Sequence, residues 1–151
     1  MSESINNKNS KDLFRNIIEA IRTTLDINMV KQKIVKAVGK ALNADRCFIL
    51  EYDKINDKFL NVSEEYLSTS TIPSYVGIDL NENIPRFTSE FKKGKHLLFN
   101  QTKALLDGQE FDLNDDCFDA EKKAIEYYKV YSALVFPIYY LNDFLGDLIL
   151  H

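Results

Sequence analysis

The sequence predicts an α+β domain in which a central antiparallel β-sheet carries flanking helices. Two observations point there. Five short apolar or aromatic runs are set off by turn-forming residues, and strands joined by hairpins pair antiparallel. Helical patterns, with apolar residues at three- and four-residue spacings, flank and interrupt these runs. A length of 151 residues suits one domain, and an apolar fraction of 45% is enough for one core.

Residues 1–10 are polar and predict a disordered leader, so the domain is expected over 11–151. Ser10 is a candidate N-cap for a first helix, on which Leu13, Ile17, Ile18, Ile21 and Leu25 form one apolar stripe. A second helix is expected over about 27–42, capped by Asp26, with Val30, Ile34, Val38 and Ala41 on one face. Arg46–Tyr52 reads as a strand, Asp53–Asp57 as a turn, and Lys58–Leu67 as the returning strand of a hairpin. Residues 69–80 read as irregular, broken by Pro73 and Gly77. Asn83 is the expected cap of a short helix over Ile84–Lys93, with Pro85 in its first turn and Gly94 after its end. Lys95–Phe99 is a third strand, 101–116 an acidic loop, and a helix opening at Asp116 or Asp119 runs to about Tyr128. Tyr131–Tyr140 and Phe144–Leu150 complete the strands, joined at Leu141–Asn142–Asp143.

Composition narrows the function. The net charge is −4 with no long basic run, so the electrostatic footprint of a nucleic-acid binder is missing. Lys92, Lys93 and Lys95 read as solvated loop charge. No stretch approaches the roughly 18 apolar residues of a membrane span, and the N-terminus has no apolar signal core. A cytoplasmic chain without membrane insertion is expected. Cys47 and Cys117 allow at most one bridge, and Cys47 reads as a buried thiol. With two histidines and no nucleophile motif, His96 and His151 read as structural rather than catalytic. A zinc-ligand set, a P-loop and a dinucleotide fingerprint are all lacking. Asp112, Asn114 and Asp116 have the opening spacing of a calcium loop. Cys117 then replaces the required Gly and Lys123 the closing Glu, so a solvated acidic loop is expected and no metal.

Three segments carry a family resemblance. ALNADRCFILEYD resembles the helix end and first strand of GAF domains, which are related to PAS domains. SALVFPIYYLNDFLGDLILH is similar to their last hairpin, with Phe136–Pro137–Ile138 for Val-Pro-Ile and Leu145–Gly146–Asp147 for the Gly-containing strand. NIPRFTSEFKKGKHLLFNQ is similar to the D-I-P segment and following helix of phytochrome-type members, with Asn83 in place of Asp. The resemblance spans about residues 13–151.

The resemblance implies a sensory module that is not itself an enzyme: the N-terminal input domain of a bacterial-type two-component protein. A sensor histidine kinase is the expected parent, and a diguanylate cyclase or phosphodiesterase the alternative. Members continue past the last strand into a helix, so a chain ending at His151 is expected to be truncated before it. The implied small-molecule pocket involves Asn83, Ile84, Pro85, Phe87, Cys117, Tyr127, Tyr128 and His151, the last aligning with a pocket histidine of bilin-binding members. Where that branch has its bilin-attachment Cys-His pair, this chain has Ala120 and Glu121, so covalent bilin is not expected. Cys117, within Asp115–Asp116–Cys117–Phe118, matches the D-x-C-F motif of some photoreceptors at a spacing too short for that motif's place, leaving a photosensor using Cys117 as an alternative. The N-K-x-F-D-E signature of cyclic-nucleotide binders is absent; Asn56, Lys58 and Phe59 are its nearest approach. The ligand stays unknown. A ligand-free dimerisation and relay module is the other reading, with a homodimer through the terminal helices and helix 13–25 as the dimer element. A reductase of methionine sulfoxide, which shares the fold, needs several redox-active cysteines; this chain has two cysteines in all.

Overall fold

The computed structural model describes residues 26–100, 103–106, 109–112 and 119–151. The expected leader, the helix over 10–25 and Cys117 lie outside the described residues.

Helix α1 (Ile27–Ala41) starts where the Asp26 carboxylate accepts the Asn28 N–H at 3.0 Å, the N-cap the sequence predicts. It ends at Asn43, whose left-handed backbone (φ 52°) an Asn tolerates. The chain then enters β1 (Arg46–Asp53), whose side chains alternate between two faces. Cys47 and Ile49 point outward and pack with Val35, Val38 and Leu150, so α1 covers that face of the sheet. Arg46, Phe48 and Leu50 belong to the other face, where Phe48 and Leu50 join the main core.

The expected strand 58–67 divides into β2 (Lys58–Phe59) and β3 (Glu65–Leu67). Both pair antiparallel with β1, through Tyr52 with Phe59 and Cys47 with Tyr66. Competition for backbone partners explains the break. The Asn81 amide bridges both backbone groups of Phe59 (3.0 and 2.8 Å), and the Gly77 N–H donates to the Val62 carbonyl at 2.8 Å. The segment following β2 is thereby tied to the 77–81 stretch.

That stretch holds the short helix α2 (Leu80–Asn83), capped by Asp79. Asn83 closes α2 instead of capping the next helix, and its amide donates back to the Asp79 carbonyl at 2.7 Å. Helix α3 (Pro85–Phe91) therefore has no side-chain cap of its own. A carboxylate from elsewhere fills the vacancy: Glu121 accepts the Arg86 N–H at 2.7 Å. Strand β4 (Leu97–Asn100) follows. The expected acidic loop contains two further strands, β5 (Lys103–Leu106) and β6 (Gln109–Asp112), paired from Lys103 with Asp112 to Leu106 with Gln109. The sequence between them reads Asp107–Gly108, the dipeptide that favours two-residue hairpin loops. Acidic content had masked that signal.

Helix α4 (Asp119–Tyr128) leads into the long hairpin of β7 (Ser132–Tyr140) and β8 (Asp143–Leu150). The antiparallel sheet has eight strands among the described residues, in the order β2-β1-β8-β7-β4-β5-β6, with β3 also on β1. The inner face of its central strands buries Phe48, Leu50, Val135 and Ile149 against Leu80, Phe87, Phe91 and Tyr128 of α2, α3 and α4. Burying such side chains is worth roughly 1.5–3 kcal/mol each.

The register slips between Ile138, opposite Gly146, and Tyr139, opposite Phe144, so Leu145 is an extra residue on β8. Gly146 has a φ of 140°, and a Cβ there would lie 2.1 Å from the Leu50 carbonyl oxygen of the neighbouring strand. Only glycine lets β1 and β8 approach so closely. Gly146→Ala is expected to cost more than about 2 kcal/mol of unfolding free energy in urea titration, since clash and strained φ add. A loss below about 0.5 kcal/mol would mean that the two strands can separate at little cost.

Candidate ligand site

Arg46 is the first residue of β1, and the inward turn of its side chain buries it to 1% exposure. Five residues meet it. Glu65 on β3 lies 3.7 Å from its Nε. One terminal nitrogen donates to the Pro73 carbonyl and, at 3.3 Å, to the Tyr128 carbonyl at the end of α4. The other lies 2.9 Å from Nδ1 of His151, just past β8. The guanidinium carbon stands 4.2 Å from the centroid of the Tyr75 ring, a cation–π contact. Burial acts to lower the Arg46 pKa, and Tyr75 and Glu65 oppose it.

This geometry fixes the state of His151. A guanidinium has donors only, so Nδ1 must offer its lone pair and the ring proton sits on Nε2. Burial first, and the Arg46 charge second, depress the His151 pKa to about 3. The ring is thus a neutral hydrogen-bond acceptor towards Arg46 and a donor elsewhere. Glu65 is tied in turn: its carboxylate accepts from the Tyr75 N–H at 3.1 Å and from the Ser74 hydroxyl. Burial pushes the Tyr75 phenol up, keeping it protonated.

Beyond this cluster lies the interior cavity. Phe48, Tyr75, Phe87, Phe91, Phe99 and His151 are among its lining, and Ala124, Ile125 and Ile149 complete other parts of the wall. Its volume is about 30 Å³. One water needs roughly 10–15 Å³, whereas drug-sized ligand pockets run to about 300–1,000 Å³. Rings fill the rest of the space: Tyr75 and Tyr128 have centroids 4.2 Å apart, and Phe87 lies 5.6 Å from Phe99. His151 also lines a second hollow of about 240 Å³, shared with Asp45, Arg46, Thr69, Lys129 and Tyr131. His151 therefore stands between the aromatic interior and this second hollow, with Arg46 behind it. Among the described residues no group of three or more His, Cys, Asp or Glu is placed to hold a metal, and no helix is long and apolar enough to cross a membrane.

Solved structures share this fold. The chain superposes on the phycoerythrobilin-bound GAF domain from a cyanobacterial phytochrome with a TM-score of 0.66 at 18% identity, covering 93% of this chain and 79% of that one. The phycocyanobilin-bound GAF domain from a cyanobacterial phytochrome gives 0.65 at 19% identity, covering 93% and 78%. The chain has the GAF fold. It also matches the GAF domain of an Acinetobacter phosphoenolpyruvate-protein phosphotransferase, at a TM-score of 0.53 and 17% identity over 92% of this chain and 73% of that one. No family model and no curated protein matches the sequence.

Within the GAF fold, Ile84, Phe87 and His151 line the cavity, and Tyr128 is buried beside it against Tyr75. Asn83, which ends α2, and Pro85, at the first position of α3, are exposed instead. Tyr127 is 69% exposed, because the residue next to an inward Tyr128 on a helix must face away. Glu121 is 1% exposed and occupied in capping α3. Arg46, Glu65 and Tyr75 complete the cluster without any local signature in the sequence. Arg46 was readable only as a charged residue at the start of an apolar strand.

Two outcomes test the cluster. Arg46→Ala strands the Pro73 and Tyr128 carbonyls and leaves Glu65 uncompensated with its side chain 5% exposed; a loss of about 3–5 kcal/mol is expected by chemical denaturation. A depressed histidine stabilises the fold above its unfolded pKa of about 6.5, and this contribution is lost as pH falls towards about 3. His151→Asn keeps an acceptor for Arg46 but cannot titrate. The stability gap between it and the parent chain should therefore narrow from pH 7 to pH 4; a constant gap would refute the assignment of a neutral His151.

Proposed function

We propose that the chain is a cytoplasmic sensory input domain of a signal-transduction protein, with a histidine kinase as the parent, and that it holds a small molecule in the interior cavity. The supporting observation is the anatomy of that cavity: an aromatic, apolar lining with the His151 ring at one end, itself held by Arg46 from behind. Ligand sites have this composition, an apolar body with a few placed polar groups. That GAF-fold neighbours hold bilins supports a ligand-binding role for this fold. Binding would shift a two-state equilibrium by opening the packing of Tyr75 on Tyr128, and so move α4 relative to the sheet.

A second reading has its own observation. A volume of about 30 Å³ admits a water or two, which favours a ligand-free relay that signals as a homodimer. Ile27, Val30 and Ile34 support such a contact, since they form an exposed stripe along α1 at three- and four-residue spacings.

Native mass spectrometry of the chain purified from cells separates the readings. An added mass that disappears under denaturing conditions is expected. An unliganded mass, as a dimer, across several expression hosts would favour the relay. An adduct that survives denaturation would point to covalent attachment and away from both.

A further inference from the structure

We infer that the second hollow, beside His151, is a binding site for a small oxyanion of phosphate or carboxylate chemistry. This goes beyond the function proposed above and does not depend on a ligand in the interior cavity. The hollow has a volume of about 240 Å³, where one water needs roughly 10–15 Å³. Three parts of the fold build its wall. Thr69 and Thr71 follow β3. Lys129, just past α4 in a left-handed turn (φ 55°), joins Tyr131 and Ser132 at the start of β7. Asp45, Arg46 and His151 come from the place where the head of β1 meets the end of β8.

Donors without acceptors gather on this wall. Lys129 brings an ammonium with three donors, and Tyr131 and Ser132 bring a hydroxyl each. None of these three side chains has a hydrogen bond or ion pair among the described residues. The Thr69 and Thr71 hydroxyls lie 2.8 Å apart, so one proton serves the pair and the other is left for a ligand. His151 accepts from Arg46 through Nδ1, which leaves the proton on Nε2, and no acceptor for it is found among the described residues.

The charges on the wall favour the same class. Two cations, Lys129 and Arg46, stand against one acid, Asp45. One Asp45 oxygen already accepts the Ser68 hydroxyl at 3.1 Å, and Glu65, the acid beside Arg46, is not on the wall. An oxyanion supplies what the wall lacks: it offers acceptors alone, and hydrogen bonds to an ionised acceptor are about twice as strong as neutral ones. A cation would bring more donors to groups that have no acceptor. Ile72 is the one aliphatic side chain of the wall, so a compact polar ligand is selected over the apolar body that the aromatic interior would suit.

The test titrates the chain with inorganic phosphate, acetate and ethylammonium at fixed ionic strength in chloride. Binding is read by NMR from the ring signals of His151 and Tyr131 and the methyl signals of Thr69 and Thr71. Phosphate is expected to move these signals saturably and to bind more tightly than acetate, because its four oxygens serve more donors; ethylammonium should leave them unmoved. Lys129→Gln is expected to weaken phosphate at least about tenfold, a difference of 1.4 kcal/mol. Lys36→Gln, on α1 and not on the wall, should leave phosphate binding unchanged. Asp45→Asn keeps an acceptor for Ser68 and removes the opposing charge, so it should tighten phosphate binding. Each variant is checked for an intact fold by thermal melting. Acetate binding more tightly than phosphate would uphold the oxyanion site and assign it to a carboxylate. Signals unmoved by either anion, equal weakening in the two lysine variants, or a larger response to ethylammonium than to phosphate overturns the inference.

Discussion

A buried guanidinium sets the terms for the rest of this structure. Arg46 has been taken almost completely out of water, at a cost of several kcal/mol unless its charge and its donors are met. Meeting them requires Glu65, the 73–75 segment, the end of α4 and the end of β8 to converge on one point. None of these pieces is near Arg46 in sequence, so the side chain acts as a tertiary clamp. It also decides the chemistry at the mouth of the cavity. Burial, and then its positive charge, keep His151 neutral, and its donor-only character fixes the tautomer.

Much of the frame was legible in the sequence because it depends on local rules. The alternation through Arg46–Tyr52, the Asp26 cap, the Asp53–Asp57 turn and the Leu141–Asp143 hairpin each follow from side-chain period or turn chemistry. Departures arose where distant groups competed. Asn81 and Gly77 took backbone partners next to β2 and broke the expected long strand. Glu121 capped α3 from another helix, which freed Asn83 to end α2. The strands β5 and β6 were hidden because charge was weighed above the Asp107–Gly108 turn signal.

The site was legible to a lesser degree, for a related reason. Ile84, Phe87, Tyr128 and His151 were reachable by combining apolar spacing with resemblance to known domains. Arg46, Glu65 and Tyr75 act only through partners that the sequence places elsewhere: Arg46 and His151 are separated by 105 positions. A lone Asp in an apolar strand was a visible irregularity, since such a residue needs a reason to be buried. The resemblance motif absorbed it as part of Leu145–Gly146–Asp147.

The pairing of the first strand with the last has a consequence for how the chain acquires its shape. Arg46 and His151 exchange backbone hydrogen bonds, with the His151 N–H on the Arg46 carbonyl at 2.9 Å and the return bond at 3.2 Å. The middle of the sheet is thus a contact of very high order, closing a loop that contains nearly all the other described elements. During vectorial synthesis β1 can meet β2 and β3, and Arg46 can meet Glu65 and Pro73, but the other edge of β1 and the His151 contact must wait until β8 has emerged. Local units such as the β5–β6 and β7–β8 hairpins can form earlier, and the closing of β8 onto β1 is the slow, cooperative event. The same closure aligns Arg46 with His151, so the mouth of the cavity is assembled in the final act of folding.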